Sequence, residues 1–307
     1  MATPPLSGIV HRSLAARLGD WLLLMRPAQW TKNLLCLAGP LFSTIPMGLD
    51  QWQAAALAVL AFCLLSAAVY AVNDIADAQA DRLSERKRHR PVASGRVSPA
   101  QAWTLATLCA AAACAVASFL PLAAQLSMAA YLVINALYSR VLKHLALVDV
   151  FCISLGFILR LLTGIYAIGD RPTAWIVLCT MALTMFVGFS KRRAELHAVV
   201  SSGGTAHRPA LASYSVAYLD FLVSATSTTT VVTYALFTTT GGRDPTLLLT
   251  VLPVVFAVFH YQRNLMLGTG SDAPEWLLLR DRVLWACAVA WLAGFLAISH
   301  FQPGFLR

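Results

Sequence analysis

The sequence predicts an all-α fold, a polytopic bundle of about nine transmembrane helices. Of its 307 residues, 58% are hydrophobic and only 12% are charged. A soluble domain carries about 25% charged residues, so this chain cannot build a water-facing surface unless most of its exterior faces lipid. The lipid bilayer is therefore an expected partner. We attribute the net charge of +9 to membrane topology and expect no nucleic-acid partner.

Apolar segments define the expected helices, because a helix needs ~20 residues to cross about 30 Å of hydrocarbon. They are Asn33–Met47, Trp52–Val72, Trp103–Phe119, Pro121–Tyr138, Leu145–Ile168, Ala174–Phe189, Ala217–Thr240, Thr246–Met266 and Val283–His300. The first is short and interrupted by proline, so its ends are the least well defined. We expect residues 1–28 to form a cytoplasmic or interfacial segment and residues 29–307 to form a single transmembrane domain.

The basic residues predict the orientation. All of the 23 lysines and arginines except Arg160, Arg171, Arg243 and Arg307 fall in the N-terminal segment or in alternate loops, on one side of the membrane. By the positive-inside rule that side is the cytoplasm. The expected location is a bacterial inner membrane, crossed many times, with the active site of any enzyme facing the cytoplasm.

An acidic run follows the second apolar segment. On a continuous helix, Asp74, Asp77 and Asp81 stand at i, i+3 and i+7 and project from one face, beside Asn73. Three carboxylates this close repel one another unless a cation lies between them, and Mg²⁺ takes one or two carboxylates together with substrate phosphates. We predict that these four residues bind Mg²⁺ and that the aspartates are catalytic. The alternative is a solvated helix end whose acids balance the basic residues that follow.

A basic loop comes next, with Lys87, Arg88 and Arg90 before Pro91. An acidic cluster that holds a metal, followed by such a loop, is a reasonable cradle for a diphosphate. The alternative is charge that sets topology or contacts lipid head groups.

These two elements together carry a resemblance. Asn73-Asp-x-x-Asp-x-x-x-Asp81 followed by Lys87-Arg-x-Arg-Pro91 resembles the first Asp-rich motif of the UbiA superfamily of intramembrane prenyltransferases. The resemblance implies a UbiA-like bundle of nine helices. Tyr138-Ser-Arg-Val-Leu-Lys143 resembles the Y-x-x-x-K element of that family, with one extra residue, and implies that Tyr138 and Lys143 bind substrate.

The sequence departs from most of that superfamily after the sixth helix. A second Asp-rich motif is replaced by Lys191-Arg192-Arg193 and a single acid, Glu195. In this departure the sequence resembles the branch of the superfamily that contains the decaprenyl-phosphate phosphoribosyltransferases. The branch implies transfer of 5-phosphoribosyl from phosphoribosyl diphosphate (PRPP) to a polyprenyl phosphate. The product would be a precursor of lipid-linked arabinose donors. PRPP has a diphosphate at one end and a 5-phosphate at the other, and Lys191 and Arg192 are candidates to hold the 5-phosphate.

Further residues are candidates for the same site. Arg160 lies deep in the fifth segment, facing either a phosphate in a polar cavity or a carboxylate in an ion pair. Asp149 is either a helix N-terminal charge or a substrate contact. Gln29 and Lys32 either reach the cavity or anchor the first helix at the interface. Glu195 is a substrate contact or a surface partner of Lys191, four residues before it.

Two other functions are kept as alternatives. A UbiA-type aromatic prenyltransferase would use a prenyl diphosphate and would need the second Asp-rich motif. A non-catalytic transporter or lipid-binding protein would spread its charges along a path through the bilayer, whereas here they gather on one face. The sequence leaves open whether the chain forms a homo-oligomer.

Overall fold

The structure, a computed structural model, describes residues 13–43, 45–85, 87–202, 209–240, 243–268 and 280–301. Within these ranges it is helical and contains no strand. The α-helices are α1 (Leu14–Met25), α2 (Ala38–Phe42), α3 (Leu49–Ala76), α4 (Ala78–Leu83), α5 (Pro99–Ala117), α6 (Leu122–Arg140), α7 (Val148–Ala167), α8 (Ala174–Ser202), α9 (Val216–Thr239), α10 (Val251–Met266) and α11 (Arg282–Phe301). Shorter 3₁₀ helices occupy Pro27–Leu37, Leu142–His144, Pro209–Ser213 and Pro245–Thr250.

Eight of the helical segments in the described residues are long and apolar enough to cross a membrane. They are α3, α5, α6, α7, α8, α9, the segment Pro245–Met266 that ends in α10, and α11. This confirms the all-α membrane bundle, and seven of these segments lie close to their predicted bounds. Helix α8 is the exception, because it continues past the predicted end at Phe189 to Ser202, so Lys191, Arg192 and Glu195 lie on the helix and not in a loop after it. The first predicted segment differs, because it consists of the 3₁₀ helix Pro27–Leu37 and the five-residue α2. Pro40 contributes to this break because it lacks the N–H that a regular helix needs.

The broken first segment packs directly on the backbone of α7. A Cβ added at Gly164 would lie 1.8 Å from the carbonyl oxygen of Cys36, and one added at Gly39 would lie 2.7 Å from the backbone of Gly164. Only glycine permits this approach, because any side chain would force the two backbones apart. The contact places Asn33, one turn before Cys36, within reach of the α7 side chains.

Helix α1 lies against the start of this bundle. Leu24 is fully buried among residues of α3 and α5. Asp20, also buried, forms an ion pair of 2.9 Å with Arg96 in the loop before α5. Leu18 and Leu22 on the same helix are exposed, 54% and 55%. An amphipathic helix of this kind suits the membrane interface, and it fixes the point where the chain enters the first segment.

The glycine contact generates a stability prediction. Gly164→Ala should lower the free energy of unfolding by about 1–3 kcal/mol, because overpacking forces the first segment away from α7. Thermal unfolding of the purified protein in detergent measures the effect. Gly19→Ala is the matched control, since a Cβ there meets nothing within 4 Å. Equal unfolding temperatures for the two variants would contradict this account of the packing.

Candidate active site

The acidic run lies across a helix break instead of along one helix. Helix α3 ends at Ala76, Asp77 adopts φ −91° and ψ 1°, and α4 begins at the next residue. Asp74 and Asp81 are buried, with 1% and 2% of their surface exposed. The side chain of Asp77 is 40% exposed. The expectation of one continuous helix face is therefore corrected: two carboxylates point inward and the third is separate from them.

Each of the three carboxylates has a basic partner. Nη1 of Arg90 donates to Oδ2 of Asp81 at 2.6 Å and reaches Oδ1 of Asp74 at 3.4 Å. The guanidinium of Arg26 donates to the same Oδ1 of Asp74. Lys87 approaches Oδ1 of Asp81 at 3.7 Å. The two buried charges are thus compensated from the basic loop and from the end of α1, as a buried carboxylate requires.

The basic loop folds back over this pair of carboxylates. Within the loop, Pro91, Val92 and Ala93 are buried. The carbonyl oxygen of Ala93 accepts a 3.1 Å hydrogen bond from Nε of Arg82. The side-chain hydroxyl of Ser98 then caps α5, accepting from the backbone N–H of Gln101 at 3.2 Å. Since both ends of the loop are fixed, Arg90 is held against the two carboxylates, while the side chain of Arg88 is exposed to solvent and its substrate contact stays a prediction.

The connection between α6 and α7 supplies the next polar groups. Nζ of Lys143 donates to Oδ1 of Asp77 at 3.1 Å, and the hydroxyl of Ser139 donates to Oδ1 of Asn73 at 2.7 Å. Tyr138 is half-buried and interacts electrostatically with Arg192. The structure therefore brings the predicted pair Tyr138 and Lys143 to the same end of the bundle as the acidic run.

A second ion-pair cluster joins α7 to α8. Nε of Arg192 donates to Oδ2 of Asp149 at 2.7 Å, and Nη1 donates to Glu195 at 2.7 Å. The side chains of Asp149 and Arg192 are 0% and 2% exposed. The neighbouring Arg193 points the other way, to Asp220 at 2.6 Å. Arg192 thus already forms ion pairs with two carboxylates, and its contact with a substrate phosphate stays a prediction.

Arg160 lies about 16 Å along α7 from Asp149, at 1.5 Å per residue. It is 5% exposed, and its hydrogen-bond partners are neutral: Oδ1 of Asn33 at 2.8 Å, the carbonyl oxygen of Gly156 at 2.8 Å and the hydroxyl of Tyr131 at 2.9 Å. Aromatic rings surround the guanidinium, those of Phe62, Tyr131 and Phe157, with centroids 4.7–5.4 Å away. The described contacts of Arg160 therefore favour neither a carboxylate ion pair nor an open phosphate site.

The remaining predicted residues lie nearer the surface. Gln29 is half-buried and Lys32 is exposed on the 3₁₀ helix that follows Arg26, and Lys191 is half-buried one residue before Arg192. Their substrate contacts stay predictions. Arg26 and Ser139 were not among the predicted site residues. Ser139 lies within the Tyr138–Lys143 motif and Arg26 shortly before Gln29, but the partners of Arg26 and Ser139 are 48 and 66 residues away, so only the fold reveals these contacts.

The buried carboxylates also fit a divalent cation. Among the residues that the structure describes, no three His, Cys, Asp or Glu side chains converge on one point. Asp74 and Asp81 nevertheless lie close enough to share one guanidinium nitrogen of Arg90. Oδ2 of Asp74 is buried without a hydrogen-bond partner. Two carboxylates completed by substrate phosphates are the donor set that Mg²⁺ commonly uses, so these residues suit the metal.

Comparison with known proteins identifies the fold and family. Residues 34–286 match the UbiA prenyltransferase family. The chain belongs to this family. It is 32% identical to the decaprenyl-phosphate phosphoribosyltransferase of Mycolicibacterium smegmatis, over 91% of this chain and 92% of that one. It is 33% identical to the enzyme of the same name from Mycobacterium tuberculosis, over 88% and 90% of the two chains. It is therefore an integral membrane enzyme of the UbiA type.

Solved structures of the UbiA family show the same fold. A UbiA homologue from Archaeoglobus fulgidus bound to GPP and Mg²⁺ matches with a TM-score of 0.69 at 18% identity, covering 92% of this chain and 99% of that one. The same homologue bound to Cd²⁺ matches with a TM-score of 0.68 at 20% identity, over 91% and 99%. Likeness at this level of identity shows the fold, and the family resemblance predicted from the acidic motif is confirmed.

The α7–α8 cluster generates a second prediction. Arg192→Gln should cost about 3–5 kcal/mol of stability, because it leaves Asp149 buried without a cation. Thermal unfolding in detergent measures the loss. Arg193→Gln is the matched neighbour, with a smaller expected loss because its partner Asp220 is 36% exposed and can be solvated. The double variant Asp149→Asn/Arg192→Gln should recover much of the stability. An Arg192→Gln protein as stable as Arg193→Gln would rule out this role.

Proposed function

We propose that this enzyme transfers the 5-phosphoribosyl group of PRPP to a polyprenyl phosphate. A phosphate oxygen of the lipid attacks the anomeric carbon of the ribose, and the bond from that carbon to the diphosphate breaks. The diphosphate leaves with the bonding electron pair. Configuration at the anomeric carbon inverts, and the product is polyprenyl-phosphoryl-β-ribose 5-phosphate.

One observation carries the proposal: a buried acidic pair and a basic stretch of α8 lie at the same end of the bundle. Lys143, in the short connection between α6 and α7, pairs with Asp77, and Asp149, in the first turn of α7, pairs with Arg192. Asp149 and Glu195 both pair with Arg192, and Lys191 and Arg193 stand beside it on the same helix. A side with two carboxylates for a metal and a side with three consecutive basic residues match a donor with a diphosphate at one end and a phosphate at the other. The similarity to decaprenyl-phosphate phosphoribosyltransferases over most of the chain supports the same activity.

Each part of the site has a task in this reaction. Asp74 and Asp81, with Asn73 beside them, would hold Mg²⁺, and the metal would supply positive charge that neutralises the departing diphosphate. Arg90, Lys87 and Arg88 bind the diphosphate from the loop. These contacts position the donor and stabilise charge on the leaving group, the two effects on which the rate depends.

The opposite side of the site orients the two reactants. Lys191 binds the 5-phosphate, and Arg192 fixes this part of α8 through its ion pair with Asp149. Lys143 and Tyr138 lie between the two sides, where the lipid phosphate meets the ribose. The acceptor needs no general base, because a phosphate monoester has a second pKa of about 6 and is largely ionised at neutral pH.

The orientation in the membrane is part of the same proposal. The polar ends of α3, α6, α7 and α8 face the cytoplasm of a bacterial inner membrane, the side predicted by the basic loops. PRPP is water-soluble and enters from that side, whereas the polyprenyl tail stays in the bilayer. This division explains why the charges gather at one end of the bundle.

A UbiA-type aromatic prenyltransferase is the competing function. It would need carboxylates around Arg192 of α8 that can bind a second metal. Asp149 and Glu195 are the acids at that position, and both are engaged by Arg192. The geometry therefore favours the phosphoribosyl donor.

Activity can be measured in membranes that contain the protein, supplied with labelled PRPP, a polyprenyl phosphate and Mg²⁺. We expect a labelled phosphosugar that extracts into organic solvent. Asp74→Ala and Asp81→Asn should lower its formation by roughly 100-fold or more, the scale of losing a charge-stabilising group. Glu85→Gln, an exposed acid in the same run, should retain activity. The proposal fails if no labelled lipid forms, or if a prenyl diphosphate and an aromatic acceptor react instead.

A further inference from the structure

Arg26 is held in an unusual backbone conformation at the end of α1. Its φ of 53° and ψ of 60° place it in the left-handed region, which costs energy for a residue with a side chain. It also precedes Pro27, which narrows its allowed conformations further. Its guanidinium reaches Asp74 and lies 5.2 Å from the centroid of the Tyr70 ring. The surrounding structure therefore positions this side chain at the buried carboxylate.

Contacts on both sides of Arg26 maintain that conformation. Before it, Leu24 is buried against α3, and Asp20 is paired with Arg96 of the basic loop. After it, the indole N–H of Trp30 donates to the carbonyl oxygen of Met25 at 3.1 Å. Helix α1 and the loop before α5 thus hold the backbone of Arg26 in place.

The charges around Asp74 are unevenly distributed. Arg26 and Arg90 both contact Oδ1, whereas Oδ2 is buried without a partner. A buried carboxylate with no cation beside it is strongly unfavourable, so Asp74 needs at least one of these arginines when no metal is bound. A divalent cation on Asp74 would supply this compensation itself. One of the two guanidinium groups would then carry surplus charge.

Arg26 is the arginine that can leave. Arg90 keeps Asp81 at 2.6 Å even if it loses Asp74. The other described side-chain contact of Arg26 is the neutral ring of Tyr70. Arg26 is also 25% exposed at its side chain, so polar ligands can reach it. If Arg26 left Asp74 but stayed beside Tyr70, its guanidinium would be adjacent to the diphosphate. The planar guanidinium suits that ligand because two of its N–H groups can bind two phosphate oxygens at once.

We propose that Arg26 is a built-in counter-cation that exchanges with the divalent metal on Asp74. Without a bound metal Arg26 neutralises Asp74, and with metal and donor bound it binds the diphosphate oxygens of the donor. The inference rests on the proposed metal and diphosphate site. Its consequence is that metal and donor bind cooperatively, because metal alone must displace Arg26 whereas the donor gives the displaced guanidinium a new partner.

Binding of Mn²⁺ to the purified protein, followed by its electron paramagnetic resonance signal, tests the exchange. Without donor, Arg26→Gln should bind Mn²⁺ on the order of tenfold more tightly than the wild type, the effect of removing one charge-assisted competitor. Adding PRPP should tighten Mn²⁺ binding in the wild type and much less in Arg26→Gln. Transfer activity of Arg26→Gln should nevertheless fall. A purely structural role would weaken both metal binding and activity.

Three variants make the outcome decisive. Arg17→Gln removes the same charge from an exposed position on α1 and should bind Mn²⁺ as the wild type does. Arg26→Lys keeps the charge and should stay near wild-type Mn²⁺ affinity, which separates loss of charge from misfolding. Asp74→Asn should lose the site. If Arg26→Gln binds Mn²⁺ no more tightly than Arg17→Gln, the exchange is wrong and the proposed function stands. If Asp74→Asn binds like the wild type, the proposed metal site fails and the exchange fails with it.

Discussion

Two carboxylates, Asp74 and Asp81, are buried at the end of a membrane helix, and one guanidinium, that of Arg90, lies between them. Carboxylates are tolerated there only while cations compensate them. Much of the surrounding chain provides that compensation. The basic loop folds back to place Arg90, and α1 packs on α3 so that the chain delivers Arg26. The arrangement of loop, α1 and α3 is thus a consequence of burying these two charges.

The same principle acts at the other side of the site with the signs reversed. Arg192 is buried on α8, and Asp149 and Glu195 compensate it. Lys191 and Arg193 are its neighbours in the sequence. The two sides therefore differ in what they present to a ligand: two carboxylates suited to a metal on one, and a run of three basic residues on the other. That asymmetry distinguishes this member of the UbiA family from one with two acidic motifs.

The parts of the structure that follow from local sequence were predictable, and those that follow from tertiary contact were not. Helix α6, at Leu122–Arg140, nearly matches its apolar segment because hydrophobic length alone sets its ends. The break in the first segment depends on the backbone contact with Gly164, which periodicity does not reveal. The acidic motif predicted Asp74 and Asp81 as candidate metal ligands from the sequence alone. The pairing of Asp149 with Arg192 joins residues 43 positions apart, so an isolated motif could not predict it.

An experimental structure of the protein with PRPP and Mg²⁺ tests the central claim, that the two sides bind opposite ends of one donor. The account predicts the diphosphate and metal at Asp74 and Asp81, and the 5-phosphate on α8 beside Lys191. A donor bound in the reverse direction, with its diphosphate at α8, would contradict the account. So would a metal held by Asp149 and Glu195 with Arg192 displaced, because that is the arrangement expected of a second acidic metal site.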